Sequence, residues 1–506
     1  MREDWKEVNS GDILDIRDGT HDTPKYVDEK AYPLITSKNL KDGKITFTNI
    51  KYISEKDFIE ISKRSKVDIN DVLFAMIGTI GNPVLINKIP NFAIKNVGLF
   101  KNKINAIESK LLAYFLDSLT FKNQLEKRQL LKGTTQKFIP LGHLRNLHLP
   151  LPPLLEQKAI VAKIEQLFSE LDKGIESLKT AQAKLKIYRQ AVLKKAFEGE
   201  LTKEWREQQT NLPTAKELLE AIKQEREAHY QQQLEEWKKS VQNVNKGKNE
   251  WGKISKPKEV TDIPKMNVDV KIQTYDLPDH WTWNKVGILC DVVRGGSPRP
   301  AGDQRFYNGN IPFLKVADIT NTESIYLVNH TFTIKEAGLH KTRHVKSNTL
   351  LLSNSGATLG VPKILTFNAT INDGIAAFIG LNPDRNLYLY YYFSSITKNL
   401  RQINQGAAQP NLNTDLIKII DLPLCSLEEQ NQIVQEIESR LSVCDKIEET
   451  IQNSLTKAEA LRQSILKKAF EGKLLDAKEL EAIKNHPEYE SAEKLLQRIK
   501  LERAKK

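Results

Sequence analysis

Between Glu156 and Phe197 the chain holds no proline and one glycine, and its apolar positions fall at Ile164, Phe168, Leu171, Ile175 and Leu178, continuing at Leu185 and Val192. Steps of four and three place these residues on one stripe of a helix. A stripe that returns every seven residues is the seam of a coiled coil. The pattern predicts one helix over 156–197, 42 residues and about 63 Å long. A second seam follows at Ile437, Leu441, Cys444, Ile451, Leu455 and Ile465. Ser426 with Glu429 three residues on forms a capping-box signature at its start, and Gly199 and Gly472 stand where the two helices would end. The stretch ahead of the first helix has a different texture. Residues 1 to about 148 are rich in Gly, Pro, Asn and Thr, with short β-branched runs such as "VLFAMI" and "KITFTNI". Such runs predict short strands and turns with a few helices, one of them near "SKLLAYFLDSL", and so an α+β globule.

The two seams belong to a larger repeat. "RQAVLKKAFEGEL" begins at Arg189 and "RQSILKKAFEGKL" at Arg462, an offset of 462 − 189 = 273. At that offset "LPLPPLLEQKAIVAKIEQLFSELDK" from Leu149 meets "LPLCSLEEQNQIVQEIESRLSVCDK" from Leu422, and "GTTQ" at Gly133 meets "GAAQ" at Gly406. With small insertions, "VLFAMIGTIGNPVLI" from Val72 resembles "LLLSNSGATLGVPKIL" from Leu350, and "YPLITSKNL" from Tyr32 resembles "IPFLKVADI" from Ile311. Downstream, "TAKELLEAIKQER" from Thr214 resembles "SAEKLLQRIKLER" from Ser491. A unit of roughly 230 residues is therefore written twice, a period too long for a solenoid. Neither helix can bury its seam alone, so the two are expected to pair. Antiparallel pairing would put the globules at opposite ends, and the sequence leaves parallel pairing open. Gly174, where the other copy has Ile447, is a weak point in the seam.

The fold class is thus α+β: two α/β-type globules joined by two long helices in an antiparallel coiled coil, with a pseudo-twofold internal repeat. In segments, 1–150 is the first globule, 151–202 the first spacer helix, and 203–275 a charged, partly helical and partly flexible connector. Residues 276–423 are the second globule, 424–475 the second spacer helix, and 476–506 a charged helical tail. The connector reads as a solvated arm, with Trp237 and Trp251 as the residues that a specific contact would use.

Charge narrows the partner. Lys and Arg number 76 against 64 Asp and Glu, for a net charge of +12 over 506 residues. A polyanion such as nucleic acid suits that balance, because each neutralised phosphate releases condensed counterions; a Lys-rich coiled coil would give the same excess. Cys290, Cys425 and Cys444 have neither metal spacing nor an even number, which predicts no disulfide or zinc framework and a reducing cytoplasm. The opening "MREDWKEV" lacks the apolar stretch of a signal peptide, and no apolar run nears the roughly 18 residues of a membrane span. The chemistry of an enzyme is missing: there is no G-x-x-x-x-G-K-[ST], G-x-G-x-x-G or G-x-S-x-G. Glu-x-Lys triplets at Glu156, Glu236 and Glu471 lie in charged helix without a Pro-Asp partner, and His21, His143 and His344 read as turn or surface residues.

"GTTQ…LPLPPLLEQ" leading into a long helix that ends "RQAVLKKAFEG", preceded by a variable globule and repeated, resembles the specificity subunit of type I restriction-modification enzymes. The resemblance covers essentially the whole chain, including "RGGSPRPAGDQRFYNGNIPFLKVADI" at the second globule's opening. It implies that each globule is a target recognition domain for one half of an asymmetric, split double-stranded DNA site. It also implies a bacterial or archaeal cytoplasmic protein without catalysis of its own. Two methyltransferase subunits and two restriction and translocation subunits would be its partners, and S-adenosylmethionine, ATP and magnesium would bind to those chains.

Within that reading the candidate DNA contacts are polar loops supported by glycine. In the first globule they are Arg17, Thr20, His21, Thr23 and Lys25, then Ser37, Lys38 and Asn39, then Thr134, Thr135 and Gln136. The second globule offers Arg294, Ser297 and Arg299, then Lys315, Asn354 and Ser355, with Gln409 and Asn411. Arg and Lys suit guanine O6/N7 and phosphate, while Asn and Gln suit adenine N6/N7. For partner subunits the repeated helix-end residues are the candidates: Arg189, Lys194, Lys195 and Phe197, with Arg462, Lys467, Lys468 and Phe470. The plainer reading packs the two phenylalanines inside and leaves the lysines in water. Two rivals remain, a coiled-coil scaffold for protein or RNA and a single-chain nuclease.

Overall fold

The computed structural model describes residues 2–28, 31–242, 248–249, 252–253, 256, 275–403 and 411–505. In chain order, the first repeat supplies β1 (Lys6–Asn9), β2 (Asp15–Asp18), β3 (Tyr32–Thr36), α1 (Glu55–Ser65), β4 (Val72–Ala75), β5 (Gly81–Leu85), β6 (Ala93–Lys95), β7 (Val97–Lys101), β8 (His148–Leu151) and the 44-residue α2 (Leu154–Phe197). After α3 (Ala215–Gln242) the second repeat supplies β9 (Thr282–Lys285), β10 (Asp291–Arg294), β11 (Tyr307–Leu314), β12 (Leu350–Ser353), β13 (Pro362–Leu365), β14 (Ala369–Ile371), β15 (Ile375–Ile379), β16 (Asp421–Leu424) and the 44-residue α4 (Leu427–Phe470). A last helix, α5, covers Ala492–Ala504. Contacts divide these elements into two compact units, Met1–Ala181 with Thr450–Lys506, and Gln182–Glu449. The division falls inside α2 and α4, so each unit holds one globule and a part of both long helices.

In the first unit an antiparallel sheet runs in the order β2-β7-β4-β5. A second sheet holds the parallel pair β3 and β6. β4 is buried at all four positions, which is why a continuous apolar run, rather than an alternating one, encodes it. β1 pairs with β8, Lys6 opposite Leu151, and closes the globule just ahead of α2. Ile160, Val161, Ile164 and Phe168 of α2 share a core with Ile465, Leu466, Ala469 and Phe470 of α4. Early residues of one helix thus meet late residues of the other. Ser491 caps α5, accepting from the Lys494 amide at 3.4 Å, and α5 buries Leu495 and Ile499 in the same core.

The second unit repeats the plan. Its sheet runs β10-β15-β12-β13, β11 and β14 form the parallel pair, and β9 closes on β16. Val192, Leu193, Ala196 and Phe197 of α2 pack with Ile433, Val434 and Ile437 of α4. Arg189 reaches back across the pair to Asp445 at 2.6 Å and Glu448 at 3.0 Å. The pairing is therefore antiparallel in both units, and the parallel alternative is excluded. At Gly174 the seam is open: a Cβ there would meet nothing within 4 Å.

One expectation needs correction. The connector is not a solvated arm at its start, because Leu218 and Ile222 of α3 are buried in the second unit's core, and the Arg226 Nη1 donates to the carbonyls of Gly287 at 3.0 Å and Ile288 at 3.3 Å. Thr214 and Glu217 form a reciprocal capping box there, with the Thr214 amide donating to the Glu217 carboxylate at 2.8 Å and the Glu217 amide to the Thr214 hydroxyl at 3.3 Å. Trp251 lies outside the described residues.

Candidate nucleic-acid interface

Strand register decides where the loops go. In the first unit β2 ends at Asp18, opposite Gly98 near the start of β7. β7 starts at Val97 opposite Ala75, the last residue of β4, and Gly81 at the start of β5 also faces Ala75. The segments after β2, between β4 and β5, and before β7 therefore all emerge at one end of the sheet. The 133–137 loop joins them, closed by a bridge between Lys132 and Phe138 and tied on by the Gly78 amide donating to the Lys137 carbonyl at 3.1 Å. Ser37 adds the loop after β3, its hydroxyl donating to the Asn96 carbonyl at 2.9 Å. All three stretches named from the sequence thus converge on one surface.

The second unit does the same with different side chains. Arg294, ending β10, faces Ala376; Ser353, ending β12, faces Ile375; and Leu352 faces Pro362. A bridge between Ser355 and Asn411, with the Leu412 amide donating to the Asn354 carbonyl at 2.8 Å, adds the remaining loop. One glycine holds each assembly together. A Cβ on Gly19 would lie 2.3 Å from the Ile94 carbonyl oxygen, and one on Gly295 would lie 2.2 Å from that of Asn372, so only hydrogen fits where the loop crosses the neighbouring strand.

Within this surface the candidates differ in what they can offer. Lys25, Lys38, Thr134, Thr135 and Gln136 are exposed, and Thr20 is half-buried. Thr23 accepts from Lys95. His21 is held at both ring nitrogens, Nδ1 by the Asn96 side chain at 2.9 Å and Nε2 by Asp18 at 2.8 Å. Ser37 and Asn39 are buried and internally satisfied: the Asn39 oxygen accepts from Thr36 N at 3.0 Å, and its amide nitrogen donates to the Thr46 carbonyl at 3.1 Å. Asn39 shapes the loop and offers nothing to a base edge. Arg17 is similarly occupied, pairing with Asp15 and donating from Nη1 to the Arg64 carbonyl at 2.8 Å.

In the second unit Arg294, Arg299 and Asn411 are exposed, and Ser297 and Ser355 half-buried. Lys315 stacks its ammonium 3.5 Å above the Phe332 ring, a cation–π contact. Asn354 is fully buried, and neither of its amide atoms has a hydrogen-bond partner among the described residues. Gln409 lies outside the described residues.

The helix-end candidates separate into two groups. Arg189 and Arg462 are inter-helix clamps: Arg462 pairs with Asp172 and sits 4.2 Å over the Phe168 ring. Phe197 packs edge-on against Tyr388 and Tyr392 at 5.3 and 5.1 Å, and Phe470 against Phe115 at 5.2 Å. Both phenylalanines are buried, so these four residues hold the fold and are withdrawn as docking contacts. Lys194, Lys195, Lys467 and Lys468 are exposed, and three of them pair with nearby glutamates, Lys194 with Glu198 at 3.6 Å, Lys195 with Glu200 at 2.8 Å and Lys467 with Glu471 at 3.9 Å.

Two carboxylates, Glu156 and Glu429, are buried, a burial not expected from the sequence. Glu156 lies in a run of charged helical residues, yet it is buried, and its Oε1 accepts from Trp5 Nε1 at 3.1 Å and Arg2 Nη1 at 2.7 Å. Burial pushes its carboxyl above the ordinary glutamate range, against the pull of Arg2 and Trp5. At the matching place Glu429 accepts from Trp281 Nε1 at 2.9 Å, Thr202 Oγ1 at 2.8 Å and Arg206. Its amide also donates to Ser426 Oγ at 3.2 Å, which is half of the expected capping box. The repeated Glu-Gln after each "PL" turn was the available signal. Each carboxylate fixes the start of a long helix to its own globule.

The model of the type I restriction modification DNA specificity domain matches this chain twice, over residues 2–180 and 278–457. The chain is 29% identical over 386 residues to the EcoBI specificity subunit of Escherichia coli, covering 74% of this chain and 68% of that one. It is 23% identical over 514 residues to the EcoDI specificity subunit of Escherichia coli, covering 99% and 96%. A putative specificity subunit, MjaX of Methanocaldococcus jannaschii, is 24% identical over 485 residues, covering 93% and 94%. Among solved structures, one chain described with the assembly of the type I R-M system superposes with a TM-score of 0.60 at 19% identity, covering 94% of this chain and 99% of that one. The HsdS subunit from Thermoanaerobacter tengcongensis superposes with a TM-score of 0.51 at 18% identity, covering 94% and 98%. These superpositions establish a shared fold. With a globule and its helix built twice and the domain model matched once in each copy, the chain belongs to the family of type I restriction-modification DNA specificity proteins.

Proposed function

We propose that this chain is the DNA-recognition subunit of a type I restriction-modification complex, reading an asymmetric two-part duplex site with one half-site per globule. The observation that carries the reading is the repeated sheet end: one loop frame, built twice, presenting Lys25, Lys38 and Gln136 in one copy and Arg294, Arg299 and Asn411 in the other. Equivalent frames favour two half-sites read in the same manner, and unlike side chains favour two different sequences. The excess of basic residues supports sequence-independent attraction to phosphates, on which base reading is superimposed.

Catalysis belongs to other chains in this reading. Two methyltransferase subunits would dock on surfaces that the repeat presents twice, Lys194 and Lys195 in one copy and Lys467 and Lys468 in the other. Two restriction and translocation subunits would add to them. S-adenosylmethionine, ATP and magnesium would be bound by those chains, in the cytoplasm of a bacterium or archaeon. Among the described residues no helix is long and apolar enough to cross a membrane.

The test is a genome-wide map of methylated adenines in host cells with the gene intact or deleted. Loss of one asymmetric motif with a fixed gap supports the reading and names both half-sites; an unchanged map in cells that express the chain and its methyltransferase overturns it. The mass of the purified complex tests the stoichiometry, with two methyltransferase subunits expected for each copy of this chain.

A further inference from the structure

In each unit an arginine whose side chain is largely in solvent has its guanidinium in contact with a carboxylate. In the first unit Arg64, near the end of α1, is 60% exposed along its side chain, yet its Nη2 is bound to Asp18, which is 5% exposed and ends β2. The backbone of Arg64 is fixed as well, since its carbonyl accepts from Arg17 Nη1 at 2.8 Å. In the second unit Arg299 is 70% exposed, and its Nη2 lies 3.4 Å from Asp373. Asp373 also accepts from Ser297 Oγ at 2.7 Å, and its carbonyl accepts from Arg294. The Arg299 carbonyl accepts from Lys341 at 3.3 Å. Burial pushes the Asp373 carboxyl upward, but the Ser297 hydrogen bond and the nearby Arg299 and Arg294 charges outweigh it, so it stays below the ordinary aspartate range and is ionised at neutral pH.

An arginine pinned in this way has a particular chemistry. The carboxylate offsets its charge, so it adds little to sequence-independent attraction for phosphate. What remains is a planar fork whose orientation is set in advance, with donors still free. Guanine is the base whose major-groove edge presents two acceptors, O6 and N7, to such a fork. Two neighbouring surface arginines differ: Arg305 closes on Asp303 through both Nε and Nη2, and Arg17 does so on Asp15.

We infer that Arg64 and Arg299 each read a guanine, one in each half-site, and that Asp18 and Asp373 are the residues that position them. The inference rests on the two-part recognition proposed above. Arg64 was not among the residues chosen from the sequence, because nothing in "ISKRSK" marks a helix end as part of a loop surface.

The test uses the full chain in complex with its methyltransferase subunits. Methyl transfer is measured on duplexes in which each base pair of the site is replaced singly, at several salt concentrations. If the wild-type complex shows no two-part site, the proposed function itself fails, whatever the variants do. With the site in hand, Arg299→Gln should reduce one guanine preference in one half-site from about ten- to a hundred-fold to under about three-fold, leaving the other half-site unchanged. Arg64→Gln should do the same in the other half. Arg64→Lys and Arg299→Lys, which keep the charge and lose the fork, should behave like the glutamine variants. Asp18→Asn and Asp373→Asn should weaken the same preferences without removing them. A uniform loss on every duplex with a shallower salt dependence would make these phosphate contacts and overturn the inference. So would unchanged preferences, or a half-site without a G·C pair.

Discussion

Replacing Glu429 with alanine should cost the second unit about 3–5 kcal/mol, the range for removing one partner of a buried ion pair. The structure supports the upper part of that range. Glu429 is 1% exposed and Arg206 13%, so the guanidinium left behind has little access to water. Trp281 Nε1 and Thr202 Oγ1 lose their acceptor at the same time, and each buried donor left unsatisfied costs about 1–3 kcal/mol when it cannot reach water. Arg206 also lies 5.7 Å from the centre of the Trp281 ring, so its displacement would disturb a second contact. Glu429→Gln keeps the shape and one acceptor oxygen but gives up the charge, and should cost less, about 1–3 kcal/mol. Urea unfolding followed by tryptophan fluorescence and far-UV circular dichroism together measures both, two probes being needed because the two units need not unfold as one. A loss below about 1 kcal/mol for Glu429→Ala, or an equal loss for both variants, would refute the reasoning.

The same frame yields further expectations. Phe197→Ala and Phe470→Ala should each destabilise by about 3–5 kcal/mol, whereas Lys194→Ala with Lys195→Ala should stay within about 0.5 kcal/mol in stability and weaken methyltransferase docking, measured by co-purification. Lys25→Ala and Lys38→Ala should lower DNA affinity, and each should flatten the salt slope by about one if it contacts a phosphate; unchanged affinity would contradict this. Gly19→Ala should damage recognition of one half-site and Gly295→Ala the other, read as separate losses in the methylation motif, because each Cβ would collide with a backbone carbonyl. For Glu156 the sign of the pH effect follows from its raised folded-state value: the neutral form is favoured by folding, so its contribution is fully present below the ordinary value of 4.5 and is lost as pH rises through the raised one. Glu156→Gln should remove that slope from the pH dependence of the urea midpoint.

The long helices were legible because a heptad seam over this length has few alternative readings, and the repeat made each helix a check on the other. Their direction was not, since a seam has no arrowhead; it took Arg189 with Asp445 and Arg462 with Asp172 to set it. Polar loops with glycines were recognisable as a candidate surface, but not the state of each side chain in it. Asn39 and Ser37 look like base readers in sequence, but Asn39 is consumed by its own turn and Ser37 by the Asn96 carbonyl, 59 residues away. Glu156 looks like one more solvated charge in a charged helix, and only the arrival of Trp5 and Arg2 from 151 and 154 residues away shows otherwise. Arg64 was missed for the same reason: its importance comes from Asp18, 46 residues earlier in the chain. Local pattern encodes elements, and contacts of this separation encode the site.

The repeat also explains how one architecture can read two different sequences. Positions that fix the loop frame keep their type: Gly19 and Gly295 make the same close approach, the parallel strand pairs recur, and the Thr36–Asn39 turn recurs as Lys315–Asp318, where the Lys315 amide donates to the Asp318 carboxylate at 2.8 Å. Other positions beside that frame differ between the copies. Register puts Asp18 opposite Gly98 and Arg294 opposite Ala376, so the two strands end on residues of opposite charge at one structural address. Sequence alignment places Met76 where the other copy has Asn354, an apolar residue against an amide with no hydrogen-bond partner among the described residues. Met76 is buried in the first unit's core at that position, so the first copy of the fold does not require a polar side chain there. Asn354→Met should therefore leave stability nearly unchanged or raise it, because a buried amide with no partner among the described residues is removed, while altering preference in only one half-site. A loss of stability of more than about 1.5 kcal/mol, the usual limit for a tolerated core exchange, would show instead that the amide belongs to the frame.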